Sequence, residues 1–126
     1  MHVAVGIVRN AVGEILIAQR PLSKYKGGLW EFPGGKVEQN ESSFEALQRE
    51  LKEEVGIDVI AAENWFQFEY DYTDRVVLLD IWRITQFTGE PHGREGQSVK
   101  WILPSQFDQF QFPDGNKIII EKIIEA

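Results

Sequence analysis

The sequence predicts a mixed α/β domain, and three observations carry that prediction. Short runs rich in β-branched and aromatic residues recur along most of the chain. One long, capped helical pattern interrupts them near the middle, and an isoleucine-rich amphipathic segment closes the C-terminus. Strand runs broken by helices give the α/β class, while the order of strands stays open. At 126 residues the length suits one domain, 1–126, large enough to bury a core without staples.

The runs at residues 3–8 and 14–18 predict two strands around a turn at residues 10–13. Residues 23–36 read as a loop, because Gly27, Gly28, Pro33, Gly34 and Gly35 permit tight turns and close backbone approach to a ligand. Ser42 with Glu45 has the form of a capping box, and Gly56 stands where a helix would end. Between them Phe44, Leu47, Leu51 and Val55 recur at helical spacing and form one narrow apolar stripe. Residues 58–62, 65–70, 76–84 and 99–103 predict further strands from their β-branched and aromatic content. Ile118, Ile119, Ile120, Ile123 and Ile124, interleaved with Lys and Glu, predict the closing helix.

Composition narrows the chemistry. With 43% hydrophobic and 26% charged residues, the chain is an ordinary globule rather than a disordered one. The absence of cysteine removes disulfides, thiolate zinc sites, iron–sulfur clusters and cysteine nucleophiles. His2 and His92 are the only histidines and lie far apart, which argues against a His-rich zinc centre. A net charge of −7 disfavours binding to duplex nucleic acid and favours recruitment of cations. No run approaches the ~18 apolar residues of a membrane span. The apolar start breaks at Arg9, unlike a signal peptide, so a cytoplasmic protein with no membrane partner is expected.

Glu50, Glu53 and Glu54 stand at i, i+3 and i+4 on the predicted helix, beside the apolar stripe. Three such carboxylates form either a solvated acidic face or an oxygen-ligand set for a hard divalent cation. The surrounding pattern tips the balance. Gly35, five residues, Glu41, seven residues and Arg49-Glu50-Leu51-Lys52-Glu53-Glu54-Val55-Gly56-Ile57 fit G-x5-E-x7-R-E-U-x-E-E-x-G-U, with U apolar, at every specified position. Seven fixed residues of ~5–7% usage coincide at a given start on the order of once in 10⁹. By this signature, residues 35–57, the chain resembles the Nudix hydrolases. A phosphate-binding P-loop at Gly34-Gly35-Lys36 fails, since Val37 replaces the required hydroxyl and Trp30 the first glycine. A carboxylate pair for glycoside hydrolysis is a weaker rival, because sequence gives no separation.

The resemblance extends along nearly the whole chain to the MutT-like branch, the 8-oxo-dGTP diphosphatases. It is carried by Ala4-Val5-Gly6-Ile7-Val8-Arg9-Asn10, Glu31-Phe32-Pro33-Gly34-Gly35-Lys36-Val37-Glu38, Phe68-Glu69-Tyr70, Asp74-Arg75, the segment from Gly89 to Gln97, Phe112-Pro113 and Asn116. It implies the Nudix fold, an α/β/α sandwich around a central mixed sheet. It also implies hydrolysis of a nucleoside triphosphate to the monophosphate and pyrophosphate, with Mg²⁺ as cofactor and Mn²⁺ able to substitute. The resemblance assigns catalysis and metal binding to Glu50, Glu53, Glu54 and Glu95, with the Gly34 backbone as a further metal contact. Glu50, Glu53 and Glu95 are each candidates to accept the proton. Arg20 is implied to touch the phosphates and Asn116 to read a purine edge, with Gly34, Asp74 and Arg75 also against the substrate and Phe32 either against the base or in the core.

Gly35, Lys36, Glu41 and Arg49 are implied to be structural, Arg49 holding Glu41 against the helix. Asn40 replaces a frequent glycine, and asparagine tolerates the left-handed conformation such a turn needs. Gln19 replaces a frequent arginine. Trp30, Trp65, Trp82 and Trp101 are expected to pack, not to bind. The implied partner is a small nucleotide, and a monomer is favoured over an obligate oligomer. Two rivals remain: a Nudix hydrolase of another nucleotide or nucleoside diphosphate derivative, and a non-catalytic Nudix-fold nucleotide-binding module.

Overall fold

Strand β1 (His2–Val8) is apolar at almost every position because both of its faces are covered. The computed structural model describes residues 1–24 and 27–126. After β1 come β2 (Ile15–Gln19), β3 (Trp30–Glu31), β4 (Gly34–Lys36) and α1 (Ser43–Val55). They are followed by β5 (Asp58–Asp71), β6 (Val76–Thr88), β7 (Val99–Ile102), a 3₁₀ turn (Pro104–Gln109) and α2 (Asn116–Glu125).

A four-stranded sheet runs in the order β4-β1-β6-β5, and a three-stranded sheet in the order β3-β2-β7. The first is mixed, because β1 lies parallel to β6 and antiparallel to β4. Alternate residues of β1 face opposite layers. Ala4 and Val8 pack with Leu47, Leu51 and Val55 of α1, whereas Val5 and Ile7 pack with Ile119 and Ile123 of α2. In β2, Leu16 joins the α1 layer while Ile15 and Ile17 join the α2 layer. The result is the expected α/β/α sandwich with a mixed sheet.

Helix α1 starts and stops where its local sequence dictates. Ser42 Oγ accepts from Glu45 N–H at 3.0 Å, and Glu45 Oε1 accepts from Ser42 N–H at 2.9 Å. Gly56 closes the helix at φ 72°, and its N–H donates to Lys52 O. The buried stripe comprises Ala46, Leu47, Leu51 and Val55, with Phe44 half-buried at its edge.

Three expectations change. The loop at residues 23–36 contains β3 and β4, and Gly34 and Gly35 are paired strand residues rather than a turn. Glycine's low strand propensity hides β4, but pairing with β1 demands it. A Cβ on Gly34 would lie 2.1 Å from Ala4 O. Tyr25 and Lys26, within the same expected loop, lie outside the described residues. Residues 58–62 and 65–70 form a single strand, because three register shifts let β5 bend without breaking its pairing to β6. Finally, β6 runs four residues further than expected, to Thr88, and the 3₁₀ turn at Pro104 has no counterpart in the sequence reading.

Candidate functional site

The phase of α1 that buries Leu47 and Leu51 turns Glu50 and Glu54 toward β4. Arg49 gathers the elements around them. Its Nε and Nη2 donate to the two Glu41 oxygens at 2.8 and 3.0 Å, and its Nη2 also donates to Lys36 O at 2.9 Å. Its Nη1 donates to Glu50 Oε1 at 2.7 Å. Hydrogen bonds from this guanidinium hold the Glu41 carboxyl at a pKa of about 2, helped by the Glu38 N–H. Asn40 adopts φ 67°, the left-handed conformation that lets the chain fold back to present Glu41.

Glu50 and Glu54 are pressed against β4. A Cβ on Gly35 would stand 2.2 Å from Glu50 Cδ, so only glycine fits there. The Gly34 N–H donates to Glu54 Oε2 at 3.3 Å. Burial pushes the Glu54 pKa up to about 9, and the negative charges of Glu31 and Glu50 push the same way. Burial raises Glu50 as well, against the pull of Arg49.

Glu31 was not among the expected site residues, yet it faces this wall. It accepts from Arg20 Nη1 at 3.2 Å, and burial raises its pKa despite that cation. A lone acid on a two-residue strand carries no spacing signal, so the sequence could not single it out. Glu95 completes the wall from the loop before β7. A cavity of about 190 Å³ is lined by Glu31, Glu50, Glu54 and Glu95 together with Arg20 and Gly34. Glu53 stands apart: its side chain is 56% exposed and leans toward Arg49 at 3.6 Å.

Among the described residues, no three acidic or histidine groups converge as a ready cation cage. The donor set nevertheless fits a divalent cation. It is all oxygen and partly buried; burial first, and then the neighbouring carboxylates, raise the Glu50 and Glu54 pKa values, a cost that a hard cation would relieve.

A second cavity of about 290 Å³ adjoins the first, for Arg20, Glu31 and Gly34 line both. Its walls are apolar, with Val3, Val5, Val77, Leu79 and Ile119, and its polar groups include Asn116, Tyr72 and Arg75. Asn116 is the first residue of α2 rather than part of a free turn. Tyr72, another residue the sequence did not flag, reaches over that helix end: a Cβ on Gly115 would lie 2.2 Å from its Oη. Phe32 lines the cavity but belongs to the core, 3% exposed and stacked on Phe112 at 5.5 Å. Lys36 lines the rim. Asp74 does not reach the cavity; it is exposed and pairs with Arg75 at 3.6 Å. The four tryptophans pack against the two cores, as with Trp82, whose Nε1 donates to Ser43 Oγ at 3.0 Å.

A family model described as NUDIX domain matches residues 4–122. An 8-oxo-dGTP diphosphatase of Haemophilus influenzae is 37% identical over 124 residues, which is 98% of this chain and 91% of that protein. A CTP pyrophosphohydrolase of Escherichia coli is also 37% identical, over 86% of this chain and 81% of its own. A solved MutT structure, from work on Aliivibrio salmonicida and Vibrio cholerae, superposes with a TM-score of 0.87 at 40% identity, covering 98% and 96% of the two chains. Motif, fold and relatives agree over almost the entire length, and the chain belongs to the NUDIX domain family.

Proposed function

We propose that this chain, as one domain, hydrolyses 8-oxo-dGTP to 8-oxo-dGMP and pyrophosphate. The observation that carries the reading is that the two cavities share Arg20, Glu31 and Gly34 in their walls. A base seated by Asn116 places its phosphates past Arg20 and onto the carboxylate wall. Water attack at the β-phosphorus would form one P–O bond and break the bond to the oxygen bridging toward the α-phosphorus. Its proton would pass to a carboxylate, for which Glu50, Glu53 and Glu95 are the candidates.

Nudix hydrolases generally need a divalent metal. Here Mg²⁺, or Mn²⁺ in its place, would be held by Glu50, Glu53, Glu54, Glu95 and the Gly34 backbone. Such ions neutralise phosphate charge and make bound water more acidic. For Glu53 this requires only that an exposed side chain leave Arg49. Arg20 contacts the phosphates, and Asn116 donates and accepts on a purine edge, as a primary amide can. Arg75 and Tyr72 border the base, whereas Asp74 acts at most through Arg75.

Destroying an oxidised nucleotide before a polymerase uses it would protect replication fidelity. We place this activity in the cytoplasm, in a monomer. A charge of −7 supports the absence of a duplex nucleic acid partner. Among the described residues no helix is long and apolar enough to cross a membrane.

A second reading, another nucleobase, is supported by one observation: a relative named for CTP matches at the same 37% identity as the one named for 8-oxo-dGTP, over 109 rather than 124 residues. Product analysis with 8-oxo-dGTP, dGTP and CTP under Mg²⁺ separates them. The proposal expects pyrophosphate and monophosphate, with kcat/KM highest for the oxidised purine. Equal or faster turnover of CTP would overturn the base assignment. No metal-dependent turnover of any nucleotide would favour a binding module.

A further inference from the structure

The last turn of α1 leaves the Glu54 and Val55 carbonyls without helical partners, and the loop before β7 supplies donors to them, adding a second donor to Lys52 O beside the Gly56 N–H. His92 N–H donates to Val55 O at 3.0 Å, Arg94 N–H to Glu54 O at 3.1 Å and Arg94 Nη1 to Lys52 O at 3.1 Å. Gln97 adds a contact of a different kind. Its Nε2 donates to Glu54 O at 2.9 Å, while its Oε1 accepts from the Glu95 N–H at 2.9 Å. One amide therefore ties the main chain of Glu95 to the main chain of Glu54. Few side chains can do both, because the task needs a donor and an acceptor on the same planar group.

The loop is shaped to bring that amide into place. Gly96 turns at φ 81° and donates its N–H to Gly93 O at 3.1 Å, and a Cβ on Gly93 would stand 1.8 Å from Gln97 O. Glu95 itself is exposed on this loop; the Arg94 N–H anchors the preceding residue to Glu54 O, and Gln97 Oε1 is the acceptor that takes the N–H of Glu95 itself.

We propose that Gln97 is a positioning residue, which holds Glu95 against the Glu50–Glu54 wall so that carboxylates from helix and loop can share one cation. This rests on the metal-dependent reading given above. A helix cap alone would add only stability, and His92 and Arg94 already supply that cap. Gln97 differs in reaching Glu95.

The test is Mn²⁺ binding to the nucleotide-free protein, followed by the electron paramagnetic resonance of free Mn²⁺, alongside kcat and KM. Gln97→Ala is expected to weaken Mn²⁺ binding about 10-fold, as loss of a group that orients a ligand does. Its kcat should fall while KM for the nucleotide changes little. In a protein already carrying Glu95→Gln, Gln97→Ala should add almost nothing, because both act through one carboxylate. Gln97→Met, similar in length and without the amide, is expected to reproduce the loss, and it carries the test should the alanine variant not melt cooperatively.

Wild-type Mn²⁺ binding in Gln97→Ala or Gln97→Met overturns the proposal. So do independent, multiplying effects of Gln97→Ala and Glu95→Gln. A wild-type protein that binds no Mn²⁺ removes the metal reading and this proposal with it, whereas tight wild-type binding left unchanged by the variants removes this proposal alone.

Discussion

The two ends of the cleft are made of opposite materials. Around Asn116 the walls are Val3, Val5, Val77, Leu79 and Ile119, drawn from the strands and helix that also build the α2 core. Past Arg20 the walls become Glu31, Glu50, Glu54 and Glu95, drawn from a short strand, a helix and a loop. An apolar pocket with few polar groups discriminates by shape and by one or two hydrogen bonds, each worth little alone. A wall of crowded carboxylates discriminates poorly, but it can gather cations and phosphate charge. On the proposed function the difference separates recognition from chemistry, and among the described residues Arg20, Glu31 and Gly34 line both cavities.

The largest expected effect lies at the acidic end. Glu54→Gln should fold, yet lower kcat by at least about 100-fold, since even groups that merely orient a metal ligand contribute about 10–100-fold. The ratio of kcat/KM between 8-oxo-dGTP and dGTP should stay constant, because the base pocket is untouched. A shift in that ratio, measured by steady-state kinetics, would break the separation.

An intermediate effect is expected at the apolar end. Asn116→Ala removes a partly buried polar contact worth ~1–3 kcal/mol, or about 5–150-fold, and the loss should fall on the preferred base. Competition assays between 8-oxo-dGTP and dGTP read it directly. Equal losses for both nucleotides would mean that Asn116 does not choose the base.

The smallest effect concerns stability without metal. Glu54 has a folded pKa of about 9 against 4.5 when unfolded, so the native state holds the proton more tightly. Its contribution is full below pH 4.5 and is lost as pH rises toward 9. Thermal melts of metal-free protein should therefore fall across that window, and Glu54→Gln should flatten the fall. Mg²⁺ should raise the melting temperature more at pH 9 than at pH 5, since binding then meets ionised carboxylates. Glu41 acts with the opposite sign and outside this window, losing its contribution as pH drops from 4.5 toward 2. A flat metal-free profile would refute the burial of Glu54 in the acidic wall and its crowding by Glu31 and Glu50.

What the sequence determined by itself is whatever depends on near neighbours along the chain. The capping box, the apolar stripe and the Gly56 stop define α1 because helix bonds and side-chain contacts close within three or four residues. The same short range made the spacing of Glu50, Glu53 and Glu54 legible, and the fixed interval from Gly35 to Arg49 pointed to the pairing with Glu41. Strand runs such as residues 3–8 were legible from composition.

Whatever depends on distant partners was decided only on folding. The glycines of β4 read as a loop until β1 pairs with them, and β5 reads as two pieces until β6 holds it across its bulges. Glu31, Tyr72 and Gln97 gave no spacing signal, since Glu31 meets Arg20 and Tyr72 meets Gly115 across separate elements, and Gln97 matters because it joins nearby Glu95 to the distant Glu54 carbonyl. Glu53 shows the converse. Its spacing placed it with Glu50 and Glu54, but helical geometry sets only the direction in which a side chain leaves the helix. What receives it is set by the strand or loop packed alongside: β4 for Glu50 and Glu54, and for Glu53 open solvent and Arg49.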